Sequence, residues 1–422
     1  MQLTDSVTPT TAHELAEALR AASADSQPVV PRGAGLHQHV GGAPPAGALS
    51  LSTLGLARVV EHTPADLTVT VEAGVTLAAL NTHLGQYGQW LPWDPPAAEG
   101  ATVGGLLAAG LSGPLRLGYG APRDWVLGMR VALGDGRLVK SGGRVVKNVA
   151  GYDTHKLHIG ALGTLGVIAE VTFKLAPRSG HVATLSLACP SRAQALALAE
   201  ILRQPPLAPV SLAILPEPEQ SHPLSRGREG APGGERLPAH PERSVLLLAR
   251  FAGVPAGVAR QLREARVRAE SAGVDAQELS EEEAAFAWRN VAEFSRPRPT
   301  AAHEVVLRVG ASPASLAALA AELERQQPAD AESLLWPGVG LAYARWPADE
   351  HEHTETAVRL AALRARLALL GGYAVVEHAS GALREHLDLW GPPPPSIVIM
   401  RRLKALWDPR GIVNSGRYIG GI

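Results

Sequence analysis

The chain has 422 residues, with 40 acidic and 39 basic side chains and a formal charge of −1. So small a net charge gives no broad attraction to nucleic acid or to an anionic membrane surface. The single cysteine, Cys189, excludes an intrachain disulfide and a cysteine-ligated zinc or iron–sulfur centre, and no metal site is expected. The N-terminus lacks the apolar region of a signal peptide, and no apolar run approaches ~18 residues. We therefore expect a cytoplasmic protein without a membrane span, held at most peripherally at the inner face of a membrane through partners.

Residues 1–178 are predicted to alternate short strands and helices with glycine-rich loops. Thr11 and Glu14 have the spacing of a capping box, and the apolar face that follows them predicts a helix. Glycines recur every few residues from 100 to 120, so no long regular element is expected there. Strands are predicted at residues 28–31, 67–73, 125–133, 137–141 and 166–175, and a second helix at residues 77–84.

Residues 181–379 differ in pattern, because strand and helix signals alternate there without glycine tracts. Two αβ sandwiches, each with a sheet of about four strands, would account for this alternation. Residues 216–242 interrupt the pattern with six prolines, four glycines and many charges. Such a composition predicts a mobile insertion.

Glycine-rich segments are the strongest functional signal in the sequence. The first, residues 32–42, lacks the dinucleotide-binding pattern G-x-G-x-x-G, because Gln38 stands three positions after Gly35. No Walker pattern occurs anywhere in the chain. The other segments are residues 99–113, 142–153 and 160–168. Loops of this kind expose backbone N–H groups that a dry core cannot satisfy, so together they indicate a large polar ligand, such as one with a pyrophosphate.

Taken together, these segments resemble the PCMH-type FAD-binding domain of the vanillyl-alcohol oxidase flavoprotein superfamily. Within it they resemble the branch of FAD-binding E subunits of bacterial glycolate oxidase. The resemblance is specific over residues 28–178 and at the C-terminus, and it is thin in between. The motifs that carry it are Leu91-Pro-Trp-Asp-Pro-Pro96, Gly104-Gly-Leu-Leu-Ala-Ala-Gly-Leu-Ser-Gly-Pro114, Arg123-Asp-Trp-Val-Leu-Gly128, Val146-Lys-Asn-Val-Ala-Gly-Tyr-Asp153 and Asp408-Pro-Arg-Gly-Ile-Val-Asn-Ser-Gly-Arg417.

The resemblance implies an α+β flavoprotein. Residues 1–178 would form the PCMH-type FAD-binding domain, built of two αβ subdomains. Residues 179–395 would form an αβ-sandwich, ferredoxin-like substrate or cap domain that contains the insertion at 216–242. Residues 396–422 would return to the FAD domain.

FAD is the implied cofactor, with its pyrophosphate on the loop at residues 32–37. Relatives with covalent flavin have a histidine directly after the loop glycines, or a cysteine in the second FAD subdomain. Here Leu36 takes the histidine position, His37 is one place later and Cys189 lies beyond that subdomain, so non-covalent FAD is expected. The implied cofactor-binding residues are Pro31, Arg32, Gly33, Ala34, Gly35, Leu36, His37, Pro95, Gly100, Ala101, Thr102, Gly104, Gly105, Ala109, Gly110, Gly113, Gly118, Lys147, Tyr152, Asp153, Gly163, Gly166, Val167, Ile168 and Arg417.

Catalytic residues stay unassigned from the sequence. Oxidation of a 2-hydroxy acid needs a base for the hydroxyl proton and a cation for the carboxylate, while the flavin accepts hydride. Catalytic relatives carry a motif of the type H-x-G-D-G-N-x-H in the substrate domain, and this sequence has none. The candidates are Arg308, Arg345, His353 and His378.

The resemblance therefore implies an FAD-binding subunit of a glycolate-oxidase-type complex, which supports electron transfer and assembly. Its expected partners are a catalytic FAD subunit and an iron–sulfur subunit, with a small 2-hydroxy acid as substrate. Two alternatives stay open. The chain could be a self-sufficient FAD-dependent dehydrogenase of glycolate or D-lactate, with His353 or His378 as base. It could also be a flavin-free scaffold, although the intact glycine tracts argue against that function.

Overall fold

The computed structural model describes residues 6–144, 151–216, 244–298, 303–348 and 353–422. The predicted insertion lies outside these residues except for Pro216, and so does Lys147. The strands are β1 (Ser6–Val7), β2 (Val29–Arg32), β3 (Leu49–Ser52), β4 (Val59–Thr63), β5 (Thr68–Glu72), β6 (Gln89–Trp90), β7 (Val126–Ala132), β8 (Leu138–Gly142), β9 (Val167–Lys174), β10 (Ala176–Pro177), β11 (His181–Cys189), β12 (Ser211–Pro216), β13 (Val245–Gly253), β14 (Ala276–Glu278), β15 (Glu304–Gly310), β16 (Glu332–Trp336), β17 (Leu341–Pro347) and β18 (Tyr373–Ala379). The helices are α1 (Ala12–Ala24), α2 (Leu77–Gly85), α3 (Val103–Ala109), α4 (Arg116–Tyr119), α5 (Pro122–Trp125), α6 (Arg192–Leu202), α7 (Pro255–Ser271), α8 (Glu281–Glu293), α9 (Leu316–Gln326), α10 (His353–Ala368), α11 (Gly381–His386) and α12 (Ile397–Trp407).

The chain divides into two units. The first comprises Met1–Ser112, Gly120–Arg178 and Asp388–Ile422, and the second comprises Gly113–Tyr119 and Ser179–Leu387. The sequence predicts domain boundaries after residue 178 and before residue 396. The segment 113–119 groups with the second unit because its backbone is bonded there: Gly118 N donates to Val210 O at 3.0 Å.

The first unit contains two main sheets. A parallel three-stranded sheet has the order β1-β3-β2, and an antiparallel five-stranded sheet has the order β4-β5-β9-β7-β8. In the larger sheet, the alternation in Thr68–Glu72 sends Val69 and Val71 into a core that includes Phe173, and leaves Thr70 to bond Thr172 on the other face at 2.9 Å. The short helix α3 lies within the glycine-rich residues 100–120, where no long regular element is predicted. It begins at the Thr102 cap, ends where Gly110 adopts φ +67°, and packs Leu106 and Leu107 into the same core.

The second unit is built on one antiparallel eight-stranded sheet with the order β14-β11-β13-β12-β16-β17-β15-β18. The expectation of two separate sheets of about four strands needs correction, because the two halves join where Ile214 of β12 pairs with Leu335 of β16. Helix α8 packs on this sheet through Trp288 and Val291, which share a core cluster with Trp336. Across the described residues, no helix is long and apolar enough to cross a bilayer.

Candidate functional site

Two adjoining cavities of about 70 and 50 Å³ lie in the first unit, where β2 runs into the first glycine loop. The loop lines one side, α3 lines another, and the turn at residues 162–168 closes a third. The cavities share the lining residues Pro31, Arg32, Gly33, Gly105, Ala108 and Leu162.

Glycine is required in the walls of these cavities because the backbone segments approach closely. A Cβ atom on Gly33 would overlap Thr102 Oγ1, and a Cβ on Gly104 would lie 2.7 Å from the Cβ of Ala73. Gly35 has φ +77°, in the left-handed region that side chains disfavour. Any side chain at these positions would push the loop and α3 apart and change the cavity.

The loop offers hydrogen-bond donors to a ligand. In the described part of the chain, the backbone N–H groups of residues 33–36 donate no hydrogen bond. Buried N–H groups without acceptors are costly, and successive small residues let several of them point at one anion. The guanidinium of Arg32 lies over the same loop, since a Cβ on Gly35 would be 2.6 Å from one of its nitrogens. Unpaired donors with an adjacent cation fit the pyrophosphate of a dinucleotide cofactor.

The C-terminal segment forms the remaining wall. Val29 N donates to Ile412 O and Asn414 N donates to Val29 O, each at 2.8 Å, so residues 412–414 run beside β2. The side-chain amide of Asn414 donates to Leu162 O, and both residues line the larger cavity. Residues 412–414 and the turn at 162–168 are thereby joined at the cavity edge.

Arg417 holds the glycine loop rather than presenting a free cation. It is 2% exposed. Its guanidinium donates to Gln38 O at 2.7 Å, to Val40 O at 2.9 Å and to Gly42 O at 3.0 Å, and also to the Gln38 side chain at 2.8 Å. These bonds occupy the N–H groups of Arg417 that a bound phosphate would otherwise use. Arg417 therefore stabilises the shape of the loop.

The structure brings most of the sequence-predicted cofactor residues to the two cavities. The ones that line them are Pro31, Arg32, Gly33, Ala34, Gly35, Leu36, His37, Ala101, Thr102, Gly104, Gly105, Ala109, Gly163, Gly166, Val167, Ile168 and Arg417. The ones placed elsewhere are Pro95, Gly100, Gly110, Gly113, Gly118, Tyr152 and Asp153. Tyr152 is 91% exposed, and Asp153 pairs with Lys156 at 2.7 Å.

Sequence reasoning missed several lining residues. They are Gln38, Val40, Thr53, Ala73, Ala108, Leu162 and Asn414. Asn414 lies in the C-terminal motif and could have been found there. Thr53 and Ala73 carry no local signal, because they follow ordinary strands whose position beside α3 depends on tertiary packing.

Among the catalytic candidates, which all belong to the second unit, Arg308 has the most developed surroundings. Its Nε donates to Glu377 at 2.6 Å, and Nη1 lies 3.4 Å from the Tyr373 hydroxyl. Glu377 is 3% exposed. It is the extra residue of a β-bulge, because Val306 pairs with His378 and Leu307 pairs with Val376. Bulges re-aim side chains and recur beside active sites.

The electrostatics of this cluster favour a charged arginine. Burial alone would lower the pKa of Arg308, but the adjacent Glu377 carboxylate raises it above its ordinary value. Burial also raises the pKa of the nearby Tyr343 phenol. The cluster therefore offers a fixed guanidinium and a neutral hydroxyl, which is suited to a carboxylate ligand.

The other candidates have structural contacts. Arg345 donates to Arg296 O at 3.1 Å and stacks over Phe294 at 4.5 Å, and burial lowers its pKa. His353 stacks on His386 with ring centroids 4.6 Å apart. His378 follows Glu377 on β18, and burial lowers its pKa.

Comparison with known proteins agrees with this geometry. A model described as "FAD binding domain" matches residues 6–142, and one described as "FAD linked oxidases, C-terminal domain" matches residues 341–418. A solved structure of alkyldihydroxyacetonephosphate synthase superposes with a TM-score of 0.72 over 97% of this chain and 76% of its own, at 17% identity, and so shares the fold.

Curated relatives are similar over different lengths. Glycolate oxidase subunit GlcE of Escherichia coli is 44% identical over 28% of this chain and 35% of its own length. Glycolate oxidase subunit GlcD of Bacillus subtilis is 34% identical over 42% of this chain and 38% of its own. Both matches span little more than a third of the relative. A D-lactate dehydrogenase of Archaeoglobus fulgidus is 28% identical over 98% of this chain and 90% of its own.

This chain thus combines a match to an FAD-binding domain at residues 6–142 with a match to the C-terminal domain of FAD-linked oxidases at residues 341–418. FAD is its cofactor, and its fold is α+β as predicted. The alternative of a flavin-free scaffold is therefore set aside.

Proposed function

We propose that this chain is the FAD-binding subunit of a 2-hydroxy-acid oxidoreductase of the glycolate oxidase type. The observation that carries the proposal is the row of unpaired N–H groups at residues 33–36 beside the paired cavities. Similarity to two proteins named as glycolate oxidase subunits supports the substrate class. When bound, FAD supplies the two-electron redox chemistry.

The chain's residues hold the cofactor in this proposal. The N–H groups of residues 33–36 bind the pyrophosphate with help from Arg32, and Arg417 keeps the loop in shape. Val167 and Ile168 line the smaller cavity with backbone and apolar surface. Because Leu36 stands where relatives with covalent flavin have a histidine, the cofactor in this proposal is non-covalent.

Partners complete the proposed enzyme. The single Cys189 cannot ligate an iron–sulfur cluster by itself, so a cluster that takes electrons onward would lie in a separate iron–sulfur subunit. Because the chain lacks the H-x-G-D-G-N-x-H motif, the proposal assigns the base that removes the hydroxyl proton to a catalytic flavoprotein subunit. This chain then supports electron transfer and assembly.

The spectrum of the purified chain alone tests this proposal. FAD-loaded protein is mixed without air with excess glycolate or D-lactate, and flavin absorbance is followed. We expect flavin bands that stay oxidised, and co-purification from native cells with a second flavoprotein and an iron–sulfur protein. Full bleaching by either acid in the isolated chain would contradict the assignment of a non-catalytic subunit.

One observation favours a second candidate, a self-sufficient dehydrogenase. The Arg308 cluster could bind a substrate carboxylate through its guanidinium, with Glu377 or His378 taking the proton. The full-length similarity to a D-lactate dehydrogenase supports it. If the isolated chain bleaches, Arg308→Met should raise KM for the acid strongly, whereas Arg266→Met, at an exposed ion pair with Glu278, should not.

A further inference from the structure

A buried lysine lies behind the C-terminal wall of the cofactor cavity. Lys404, on α12, is 9% exposed. Its ammonium donates to Asp408 Oδ2 at 2.6 Å, to Val413 O at 2.7 Å and to Thr164 O at 2.8 Å. All three N–H donors of the ammonium are therefore used, by two acceptors of the C-terminal segment and one of the turn at residues 162–168. Lys404 does not line either cavity.

The partner carboxylate extends this network along the C-terminal segment. Asp408 is 2% exposed and accepts from Ile412 N at 3.0 Å and from Val413 N at 2.8 Å. A Cβ atom on Gly134 would overlap Asp408 Oδ1, so the carboxylate sits directly against the β7–β8 turn. Two buried charges with every bond satisfied form a fixed unit, which we call the Lys404–Asp408 clasp.

The clasp is joined to both cavity walls by consecutive residues. Val413 precedes Asn414, whose amide donates to Leu162 O at the cavity edge. Thr164 belongs to the same turn as Leu162 and Gly163, which line the cavities. The ammonium thus bonds both the turn at residues 162–168 and the strand-like segment 412–414.

We propose that Lys404 is a positioning residue for the FAD site, which sets the separation of the two walls without contacting the cofactor. The proposal rests on FAD as cofactor and not on the substrate or on the partners. Loss of the ammonium would leave the carbonyl oxygens of Thr164 and Val413 without this donor, and the buried Asp408 carboxylate without its counter-ion. The segment 412–414 would then relax, and Asn414 would lose its fixed position against the turn.

The test compares FAD affinity with fold stability. Lys404→Met keeps the aliphatic stem and removes the ammonium, and Arg402→Met is the matched control on the exposed side of the same helix. FAD is titrated into the apoprotein by flavin fluorescence, and apoprotein folding is checked by circular dichroism. We expect Kd to rise by about tenfold or more in Lys404→Met, equivalent to about 1.4 kcal/mol, and to stay at the wild-type value in the control.

Hydrogen exchange separates positioning from a purely structural role. Because coupling between sites is reciprocal, FAD should protect the amides of residues 412–414 in the wild-type protein, and less so in Lys404→Met. Should Lys404→Met fail to fold, Lys404→Gln, which keeps one amide donor, replaces it and should give a raised Kd. A wild-type Kd in the folded variant, with only a lowered melting temperature, would overturn the proposal. So would equal FAD-induced protection in both proteins.

Discussion

Acidification should destabilise the first unit through His158. This side chain is 5% exposed, stacks on Trp407 with ring centroids 5.1 Å apart, and lines a cavity of about 170 Å³ whose described walls carry no charged side chain. Burial, with a smaller effect of His155, lowers the pKa of His158 to about 4. The imidazole is therefore neutral in the folded chain at pH values where the unfolded chain protonates it.

Linkage between protonation and folding gives the direction and the size of this loss of stability. The unfolded chain binds this proton near pH 6.5, the ordinary value, and the folded chain binds it only near pH 4. The stability contributed by the neutral ring is complete above pH 6.5 and is lost as the pH falls towards 4. At about 1.4 kcal/mol for each pKa unit between the two states, the loss is about 3 kcal/mol.

Urea unfolding of the wild-type protein and of His158→Phe, measured from pH 7 to pH 4, tests this reasoning. Phenylalanine keeps a ring against Trp407 and cannot be protonated. Between pH 7 and pH 4, the free energy of unfolding of the variant should therefore fall by about 3 kcal/mol less than that of the wild-type protein. His13→Gln, at a side chain that is 78% exposed, is the control and should follow the wild-type protein. Identical pH dependence in His158→Phe and wild type would refute the assignment of a buried neutral histidine.

Other predictions concern the cofactor site and the second unit. Gly33→Ala should abolish FAD retention, since its methyl group would overlap Thr102, whereas Gly381→Ala, in open space, should retain the yellow colour on purification. Arg417→Met removes four hydrogen bonds from the glycine loop and should both weaken FAD binding at least tenfold and lower the melting temperature; unchanged flavin titrations would count against its role as a loop support. Glu377→Gln breaks a buried ion pair and should lower the free energy of unfolding, measured with urea, by about 2 kcal/mol. A decrease smaller than about 0.5 kcal/mol would mean that water solvates the pair well.

The local signals of the sequence predicted much of the first unit. The alternation at residues 67–73 and the capping pattern at Thr11 correspond to β5 and α1, because both depend on side chains close together in the chain. The glycine loop was recognised for the same reason. In the second unit the alternation predicted strands and helices, but it could not show that β12 and β16 join two halves into one sheet. That pairing is between residues far apart in sequence.

The sequence by itself determined the cofactor loop, because glycine is required wherever backbone must approach backbone or a ligand, and that requirement is visible in the residue type. Tertiary structure alone decided which other residues meet the loop. Tyr152 stands in a family motif yet is exposed, whereas Lys404 and Ala73 lack any site motif yet lie against the cavity or its walls. Segments that are far apart in sequence come into contact only when the core packs. A local sequence pattern therefore does not show which residues a given side chain will contact.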